Sequence, residues 1–334
     1  MSESEAIHPP IKESLLIHCD SNGYTSFYSF MQVALYHPEA GYYTQKKTRV
    51  GRKPETDFYT SSSLGSVFGR LVVESATTRL GLEKAKESVF VELGAEPGQN
   101  IFDAKHSPFK EHITLRLGES LQELPKHSVL FANEILDAQP FHRFRYHAGQ
   151  WRELGVRIQG ASIEEVLLPE PTLNARTLME RLPLDTIEGY TVDIPSGAET
   201  LIQSLIPNDW EGLLFLFDYG KSIDSLLFET PQGTARAYIR HRQSNNLLAT
   251  PGKQDITCHI GWEWIENVLK NMKFQDIRVD SQEACFMKYA PQTIQQIITE
   301  RPGEFTPERR TLQELIHPSH LGQKFQALSA KRTL

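Results

Sequence analysis

The feature that most constrains this fold is a short apolar strand that ends in a glycine-containing turn. Residues 89–93 read Val-Phe-Val-Glu-Leu, and Gly94 and Gly98 follow before an amide-rich helix start. Because glycine has no Cβ, a strand that breaks at glycine before a helix lets the backbone approach a nucleotide-like ligand. The stretch predicts an α/β fold with a ligand at the end of this strand. A plain strand–turn–helix is the alternative that this motif alone leaves open.

The order of acid and glycine in this stretch favours S-adenosylmethionine (SAM) over a dinucleotide. Glu92 can take up the ligand's ammonium, and the glycines let the backbone approach its carboxylate and ribose. The spacing is G-x-x-x-G and not the G-x-G-x-x-G of a dinucleotide fold, and no acid stands where the ribose of NAD requires one. The pattern therefore argues against a nicotinamide-dependent dehydrogenase.

Composition and charge exclude several classes of partner. The chain has 334 residues, enough for one large domain with an insertion or for two domains, and its formal net charge of −7 offers no basic field for nucleic acid. Three widely spaced cysteines argue against disulfides and a zinc site and favour a reducing compartment. No apolar run approaches the roughly 18 residues of a membrane span, and the acidic start lacks a signal's basic region. We expect a cytoplasmic protein with no metal site, membrane span or nucleic-acid partner.

Two further strands carry polar residues just after their ends. Residues 113–117 predict a second strand, and Glu119 beyond it is either a ribose ligand or an exposed turn residue. Residues 128–132 predict a buried strand that leads directly into Asn133 and Glu134. Since open parallel sheets bind ligands at the carboxyl ends of their strands, Asn133 and Glu134 are candidate site residues.

The remaining pattern completes a mixed α/β chain. Alternating apolar and polar residues between 141 and 168 predict a small antiparallel β meander, which either shapes a substrate cleft or is a structural elaboration. A hydroxyl-rich turn, Asp57 to Ser63, precedes an apolar helix at 67–80 and either holds a ligand's polar end or caps the helix. Other predicted elements are strands at 212–217 (followed by Asp218) and 274–279, and helices at 27–35, 196–205, 262–272, 291–300 and 310–316.

Taken together, these segments resemble one family, the MidA-like SAM-dependent methyltransferases. They occur in the family's order from about residue 24 to residue 262. The matching segments are Phe30-Met31 with Ala34-Leu35 and Pro38, Gly41-Tyr42-Tyr43, Asp57-Phe58-Tyr59-Thr60-Ser61, Phe68-Gly69, Val91-Glu92-Leu93-Gly94, Asn133-Glu134 with Asp137-Ala138 and Pro140, Asp218-Tyr219-Gly220, Gly233-Thr234 with Arg236 and Tyr238, His241, and Pro251-Gly252 with Asp255-Ile256-Thr257 and His259.

The resemblance implies the architecture. It predicts a class I methyltransferase (Rossmann-like) fold with a seven-stranded, mostly parallel sheet, helices on both faces, one reversed strand and SAM at the strand carboxyl ends. An N-terminal helical cap and the inserted meander are added to it. The expected domains are a cap at 1–80, a SAM-binding core at 81–140 and 210–290, an insertion at 141–209 and C-terminal helices at 291–334.

Carried over by position, the resemblance also implies a cofactor site. Its residues are Glu92, Gly94, Ala95, Gly98, Glu119 and Asn133, with Asp57, Thr60 and Ser61 closing over the ligand. Two departures stand out. Glu96 occupies a position where the family commonly has glycine, and the segment between Gly98 and Ser128 is shorter than usual.

The family's mitochondrial member is an assembly factor of respiratory complex I and methylates an arginine, so the resemblance implies a protein arginine acceptor, with a respiratory NADH dehydrogenase subunit as the candidate. A guanidinium requires acids that bind it and direct a lone pair at the methyl group. We hypothesise that Glu134 binds the acceptor with Asp137 or Asp218 as the second acid. Asp255 with His259 or His241 would complete the wall or accept the proton, or the histidines order loops. The alternative is an inactive assembly factor that binds a client protein, and either form is a monomer or a homodimer.

Overall fold

The computed structural model describes residues 7–47, 49, 56–57, 65–96, 100–101, 107–119, 123–160 and 162–333. Three predicted cofactor residues, Thr60, Ser61 and Gly98, lie outside these ranges. The described residues divide into two compact units. The first unit lies within 1–58, 136–201 and 221–265, and the second lies within 59–135, 202–220 and 266–334. Within the described ranges, no helix combines the length and the apolar character needed to cross a membrane.

The elements of the described residues alternate between helix and strand for much of the chain. The helices are α1 (Pro9–Ile17), α2 (Phe27–Tyr36), α3 (Ser66–Leu80), α4 (Leu82–Glu87), α5 (Leu173–Met179), α6 (Ser196–Leu205), α7 (Ile223–Phe228), α8 (Trp262–Asn271), α9 (Gln282–Tyr289), α10 (Pro291–Thr299) and α11 (Pro307–Ile316). The strands are β1 (Tyr24–Ser26), β2 (Val89–Leu93), β3 (Glu111–Leu115), β4 (His127–Asn133), β5 (His142–His147), β6 (Gln150–Gln159), β7 (Ser162–Leu167), β8 (Thr191–Ile194), β9 (Glu211–Asp218), β10 (Gly220–Lys221), β11 (Arg236–Ile239), β12 (Arg242–Ser244), β13 (Asp255–Thr257), β14 (Ile260–Gly261), β15 (Gln275–Ser281) and β16 (Gln326–Arg332).

The second unit is built on a mixed sheet with strand order β15-β16-β9-β4-β2-β3. Strands β3, β2, β4 and β9 run parallel, while β16 runs antiparallel to both of its neighbours. The central strands are nearly continuous apolar runs, because a parallel strand is buried on both faces. The described part of the chain contributes six strands to this sheet, and the expected seventh strand stays a prediction.

Helices α3 and α9 cover one face of this sheet through aromatic side chains. Phe68 of α3 packs edge-on against Phe217 of β9, with ring centroids 5.7 Å apart. Phe286 of α9 stacks on the same Phe217 at 5.4 Å. Each of these rings is almost completely buried, so they form the centre of the core that supports the carboxyl ends of the strands.

Strand β16 is an element that the sequence analysis did not predict, because only helices were expected after residue 290. It pairs with β9 over seven residues, from Gln326 opposite Asp218 to Arg332 opposite Gly212. Its sequence, QALSAKR, has small and polar side chains in place of the β-branched and aromatic residues that usually signal a strand. Five of its seven residues are buried, but Leu328 is its one large apolar side chain, so β16 shows little hydrophobic pattern.

The first unit contains the predicted meander. Strands β5, β6 and β7 pair antiparallel in sequence order, β8 pairs with β5, and β1 pairs with β6. Helix α2 begins where expected, since the Ser26 hydroxyl accepts a hydrogen bond from the Ser29 N–H at 3.0 Å. The stretch after residue 233 was expected to be irregular but ordered. It contains a small sheet of β12, β11 and β13, whose strands of three or four residues are too short to give a periodic signal.

Candidate active site

In the second unit, the parallel strands β2, β4 and β9 end at one edge of the sheet. Leu93 pairs with Ala132, and Asn133 pairs with Phe217. Gly94 and Glu134 directly follow β2 and β4, and Asp218 is the last residue of β9. The three residues therefore lie side by side at the carboxyl ends of neighbouring strands. Neighbouring strands lie about 4.8 Å apart, so the sequence has brought a glycine turn and two acids together.

Gly94 has a conformation and a position that require glycine. Its φ is +71°, in the left-handed region, and its N–H donates to the Leu115 carbonyl at 2.9 Å. A Cβ at this position would lie 2.5 Å from Cγ2 of Ile135. The turn after β2 therefore presents bare backbone, as the sequence predicted for a ligand loop. Ala95 continues this turn and donates its N–H to the same Leu115 carbonyl at 3.3 Å.

Glu92, at the end of β2, is an almost completely buried acid with 4% exposure. Burial raises the pKa of its carboxyl to about 7, although the Ile101 N–H, Arg116 and Thr114 each favour the charged form. The Ile101 N–H donates to the carboxylate at 3.3 Å. A carboxylate in this setting gains from a nearby cation, because the cation would offset the cost of burying the negative charge. The ammonium of SAM fits that requirement.

Asn133 and Glu134 form a strained pair at the end of β4. Glu134 has a φ of +54°, a conformation that costs a non-glycine residue about 1–2 kcal/mol. Its N–H donates to the Phe217 carbonyl at 2.8 Å, and the Asn133 Nδ2 donates to the Glu134 Oε1 at 2.8 Å. The Asn133 Oδ1 is buried and accepts no hydrogen bond from any residue in the described ranges. This oxygen is an acceptor suited to a donor on a bound ligand.

These observations fit SAM in the second unit. Gly94 exposes its backbone at the turn, Glu92 supplies a buried carboxylate, and Asn133 supplies an acceptor oxygen. Asp218 is also buried, and its Oδ1 accepts the Tyr219 N–H at 2.8 Å, which fixes its carboxylate at the end of β9. Glu96 is half-buried beside this turn.

Glu119 occupies a turn after β3. Its side chain is 51% exposed and accepts the Arg116 N–H at 2.9 Å, with the Arg116 guanidinium 4.0 Å away. Those contacts match the turn residue that the sequence analysis left open as the alternative. A ribose contact by Glu119 stays a prediction.

In the first unit, Asp57 is fully buried, and other residues of the same unit hydrogen-bond to its carboxylate. Oδ2 accepts from the Tyr42 hydroxyl at 2.7 Å and from the Lys47 ammonium, and Oδ1 accepts from the Arg240 N–H at 2.9 Å. Burial acts to raise the pKa of Asp57, but these hydrogen bonds outweigh it and hold the pKa below its usual value. Asp57 is therefore an ionised carboxylate that is bound within its own unit.

Asp137 and Asp255 are buried in the first unit among tyrosines. The Tyr43 hydroxyl donates to the Asp255 Oδ1 at 2.8 Å. Burial raises the pKa of Asp255 to about 7, and burial together with the charges of Asp255 and Asp137 raises the pKa of Tyr36. Tyr36 stacks on Tyr43 with ring centroids 5.6 Å apart, and its hydroxyl donates to the Ala138 carbonyl. Asp255 is thus hydrogen-bonded to a tyrosine hydroxyl, and Asp137 lies close enough for its charge to act on Tyr36.

Each of the two candidate histidines contacts a threonine, His259 through its backbone and His241 through its ring. The His259 backbone N–H donates to the Thr234 hydroxyl at 3.1 Å. Burial, followed by the charges of Lys221 and Arg236, lowers the pKa of His259 to about 4, so the ring is neutral near pH 7 and a weak base. His241 Nε2 lies 3.0 Å from the Thr56 hydroxyl. The ring contact of His241 supports the loop-ordering alternative for that histidine, while the role of the His259 ring stays a prediction. Across the described ranges, no three His, Cys, Asp or Glu side chains are grouped so as to hold a metal ion.

Sequence reasoning missed the residues that fix this network. Arg49 is buried and donates from Nε and Nη2 to the carbonyl oxygens of Tyr42, Tyr43 and Gln45. Its guanidinium also lies over the rings of Tyr42 and Tyr43, at 5.4 and 5.6 Å. The sequence feature that could have indicated this network is the Gly41-Tyr42-Tyr43 segment. It matches the family, but the sequence analysis assigned it no role.

Comparisons with known proteins agree with this geometry. Residues 81–278, more than half of the chain, match the family described as "Putative S-adenosyl-L-methionine-dependent methyltransferase". The mitochondrial protein arginine methyltransferase NDUFAF7 of Danio rerio is 23% identical over 399 aligned positions, which cover 99% of this chain and 89% of that protein. The NDUFAF7 homologue of Drosophila melanogaster is 23% identical over 326 positions, covering 80% of this chain and 71% of that protein.

A solved structure shares the fold. The crystal structure of a Burkholderia thailandensis protein bound to S-adenosyl-homocysteine has a TM-score of 0.85 to this chain, with 21% sequence identity and coverage of 97% of this chain and 92% of that one. The α/β methyltransferase fold expected from the sequence is thereby confirmed. The chain belongs to the family of S-adenosyl-L-methionine-dependent methyltransferases, and SAM is its cofactor.

Proposed function

We propose that this methyltransferase modifies the guanidinium of a protein arginine. The observation that carries the proposal is Glu134, an acid held in a strained backbone conformation at the end of β4. Strain of this kind persists only where the surrounding structure holds the residue in place, and it is found most often at active sites. The relatives from Danio rerio and Drosophila melanogaster that bear the name protein arginine methyltransferase also support the proposal, at 23% identity.

The cofactor is held by Glu92, Gly94, Ala95 and Asn133 in this proposal. Glu92 would receive the ammonium, the backbone at Gly94 and Ala95 would contact the methionine and ribose portions, and the Asn133 Oδ1 would accept a hydrogen bond. When bound, SAM supplies an electrophilic methyl group on a sulfonium. Gly98, Thr60, Ser61 and Glu119 are further cofactor-binding residues in this proposal, on the strength of the sequence prediction alone.

The acceptor is bound by acids. Glu134 follows β4 and Asp218 is the last residue of the neighbouring strand β9, so a planar guanidinium can donate charge-assisted hydrogen bonds to both carboxylates. The Asn133 amide fixes one oxygen of Glu134, which orients the carboxylate without neutralising it. Such binding directs the reactive nitrogen at the methyl group and lowers the entropic part of the barrier. The guanidinium nitrogen gives up its proton to solvent only after the transfer, so a strongly basic side chain is unnecessary. That Asp137, Asp255 and His259 bind the acceptor or take up its proton stays a prediction.

The experiment compares wild type with Glu134→Gln. We expect Glu134→Gln to lose at least 100-fold in methyl transfer, because a neutral amide no longer pairs with a guanidinium, while its S-adenosyl-homocysteine affinity stays within about threefold. Asp185→Asn is the matched control, since Asp185 accepts the Tyr146 hydroxyl in the first unit and has no assigned role. Transfer is measured with tritiated SAM on candidate proteins, followed by amino-acid analysis for methylarginine. Undiminished transfer by Glu134→Gln would refute its role as the acceptor-binding acid.

The same assay separates the enzyme from the alternative of a client-binding assembly factor. Binding of S-adenosyl-homocysteine with measurable transfer supports the enzyme. Client binding without transfer to any protein of the cell extract supports the assembly factor. A respiratory NADH dehydrogenase subunit is the first acceptor to try, on the strength of the family resemblance. A cytoplasmic location and a monomeric or homodimeric state are proposed on the sequence arguments alone.

A further inference from the structure

The turn that follows β9 carries Asp218, one of the two acids proposed to bind the acceptor. Asp218 is the last residue of β9, and its Oδ1 accepts the Tyr219 N–H at 2.8 Å. Only 1% of Asp218 is exposed, so the direction of its carboxylate depends on the backbone that carries it. Residues that fix the backbone from Asp218 to Gly220 therefore also fix this acid.

Two consecutive residues, Phe325 and Gln326 at the start of β16, contact this turn. The Gln326 Oε1 accepts the Gly220 N–H at 2.8 Å. The Phe325 ring lies against the Tyr219 ring, with centroids 4.1 Å apart and planes tilted by 38°. In the pairing of β9 with β16, Gln326 also lies opposite Asp218 itself. The start of β16 thus contacts all three residues of the turn, within the second unit.

The two contacting residues are themselves held in place. Phe325 is completely buried, and its N–H donates to the Leu321 carbonyl at 3.3 Å. The Gln326 Nε2 donates to the Gln323 carbonyl at 3.3 Å. This bond orients the amide so that its oxygen meets the Gly220 N–H. An amide that is bound at both polar atoms has one preferred orientation, so it can fix the backbone that it binds.

The Gln326 side chain acts beyond the point where the strands stop pairing. Pairing between β9 and β16 ends with Gln326 opposite Asp218, and Gly220 lies two residues past that end. The side chain is half-buried and extends the contact of β16 to this residue. A methionine has a similar length but offers only a weak acceptor. The amide oxygen is therefore the group to test.

We propose that Gln326 is a positioning residue for Asp218 in methyl transfer. Its bond to the Gly220 N–H fixes the turn, and with it the direction in which the Asp218 carboxylate meets the guanidinium. This proposal rests on the proposed function, in which Asp218 and Glu134 together bind the acceptor. Positioning has a large effect on rate, because a displacement of about 1 Å at a reacting group can cost about 100-fold.

The test is a double-mutant cycle of Gln326→Met and Asp218→Asn. Gln326→Asn, whose amide is one methylene shorter, is a second variant in case the first does not fold. Gln323→Met is the matched control, because Gln323 is an exposed glutamine whose Nε2 donates to Glu283 at 3.4 Å. Methylarginine formation from tritiated SAM is measured as an initial rate in an extract of cells that lack this protein. With acceptor limiting, that rate reports kcat/KM. Calorimetry gives the S-adenosyl-homocysteine affinity, and heating gives the midpoint of unfolding.

We expect Gln326→Met and Gln326→Asn each to lower the rate about 10-fold, with the cofactor-product affinity within about twofold of wild type. Their unfolding midpoints should lie within about 5 °C of wild type, since one hydrogen bond is lost. Asp218→Asn should lower the rate about 30-fold, and adding Gln326→Met to it should change the rate less than about twofold, because no carboxylate is left to position. Gln323→Met should match wild type.

Losses that multiply in the double variant overturn the proposal, since they show that Gln326 does not act through Asp218. Wild-type rates in both Gln326 variants, with Asp218→Asn impaired, also overturn it and leave the proposed function standing. A wild-type rate in Asp218→Asn, or no transfer by the wild-type protein, instead overturns the proposed acceptor site and this proposal with it.

Discussion

Replacing Glu92 by Gln should stabilise the protein without cofactor while it removes cofactor binding. The pKa of the Glu92 carboxyl rises from 4.5 to about 7 because the group is buried. The folded state therefore binds this proton more tightly than the unfolded state does. The stability that this carboxyl contributes is complete below about pH 4.5, and it is lost as the pH rises through about 7.

The expected magnitude follows from that difference. At 1.36 kcal/mol per pH unit, a pKa change from 4.5 to about 7 corresponds to about 3 kcal/mol of lost stability above pH 8. Gln keeps an oxygen that can accept the Ile101 N–H but carries no charge to bury. Glu92→Gln should therefore exceed wild type by about 3 kcal/mol at pH 8.5 and by less than about 1 kcal/mol at pH 5.

Urea denaturation of both proteins at the two pH values measures the effect. Asp255 is another acid whose pKa burial raises to about 7, and its contribution is common to both proteins and cancels in the comparison. Glu119→Gln is a control for loss of one negative charge, because its side chain is half exposed and should change stability little. If Glu92→Gln is no more stable than wild type at pH 8.5, the argument that Glu92 is held as a destabilising buried acid is wrong.

Two further predictions concern the turn after β2. Gly94→Ala should destabilise the protein by about 2 kcal/mol or more and lose S-adenosyl-homocysteine binding, because a Cβ would meet Ile135 at 2.5 Å and φ is +71°. Gly303→Ala has φ +86° but open space for a Cβ, so in chemical denaturation it should show the smaller cost of backbone strain alone, about 1 kcal/mol, and an equal cost at both sites would contradict the steric argument. Glu96→Gly should tighten S-adenosyl-homocysteine binding several-fold in calorimetry if the side chain crowds the cofactor's carboxylate. Glu96→Gln separates charge from size, and unchanged affinity in both variants would show that Glu96 does not obstruct the site.

The parts of the fold that are built from continuous apolar runs could be predicted from the sequence. β2, β4 and β9 were expected as buried strands, and Glu92 and Gly94 were identified at the end of β2. The reason is physical, since a parallel strand buried on both faces must be apolar along its whole length. β16 has no such run, because most of its buried positions hold small or polar residues.

The roles of individual polar residues could not be predicted in the same way. Asp57 stands in a segment that matches the family's cofactor loop, yet its carboxylate binds Tyr42, Lys47 and the backbone of Arg240, which is 183 residues away. A sequence shows which side chains can accept hydrogen bonds but gives no information on which distant donors will meet them. The strain at Glu134 was equally invisible, because backbone dihedral angles at a strand end are set by tertiary contacts such as the Phe217 carbonyl.

The position of β16 has a consequence for how this protein is made. β16 lies between β9 and β15 in the sheet, although more than 100 residues separate it from β9 along the chain. At 5–20 residues per second, a ribosome needs roughly 5–20 s to synthesise that interval. During this time β9 has no strand on the side where β16 will pair. Its phenylalanine and leucine side chains are apolar. The nascent chain therefore carries an open template for wrong pairing, and the interval is one in which a chaperone would be most useful to it.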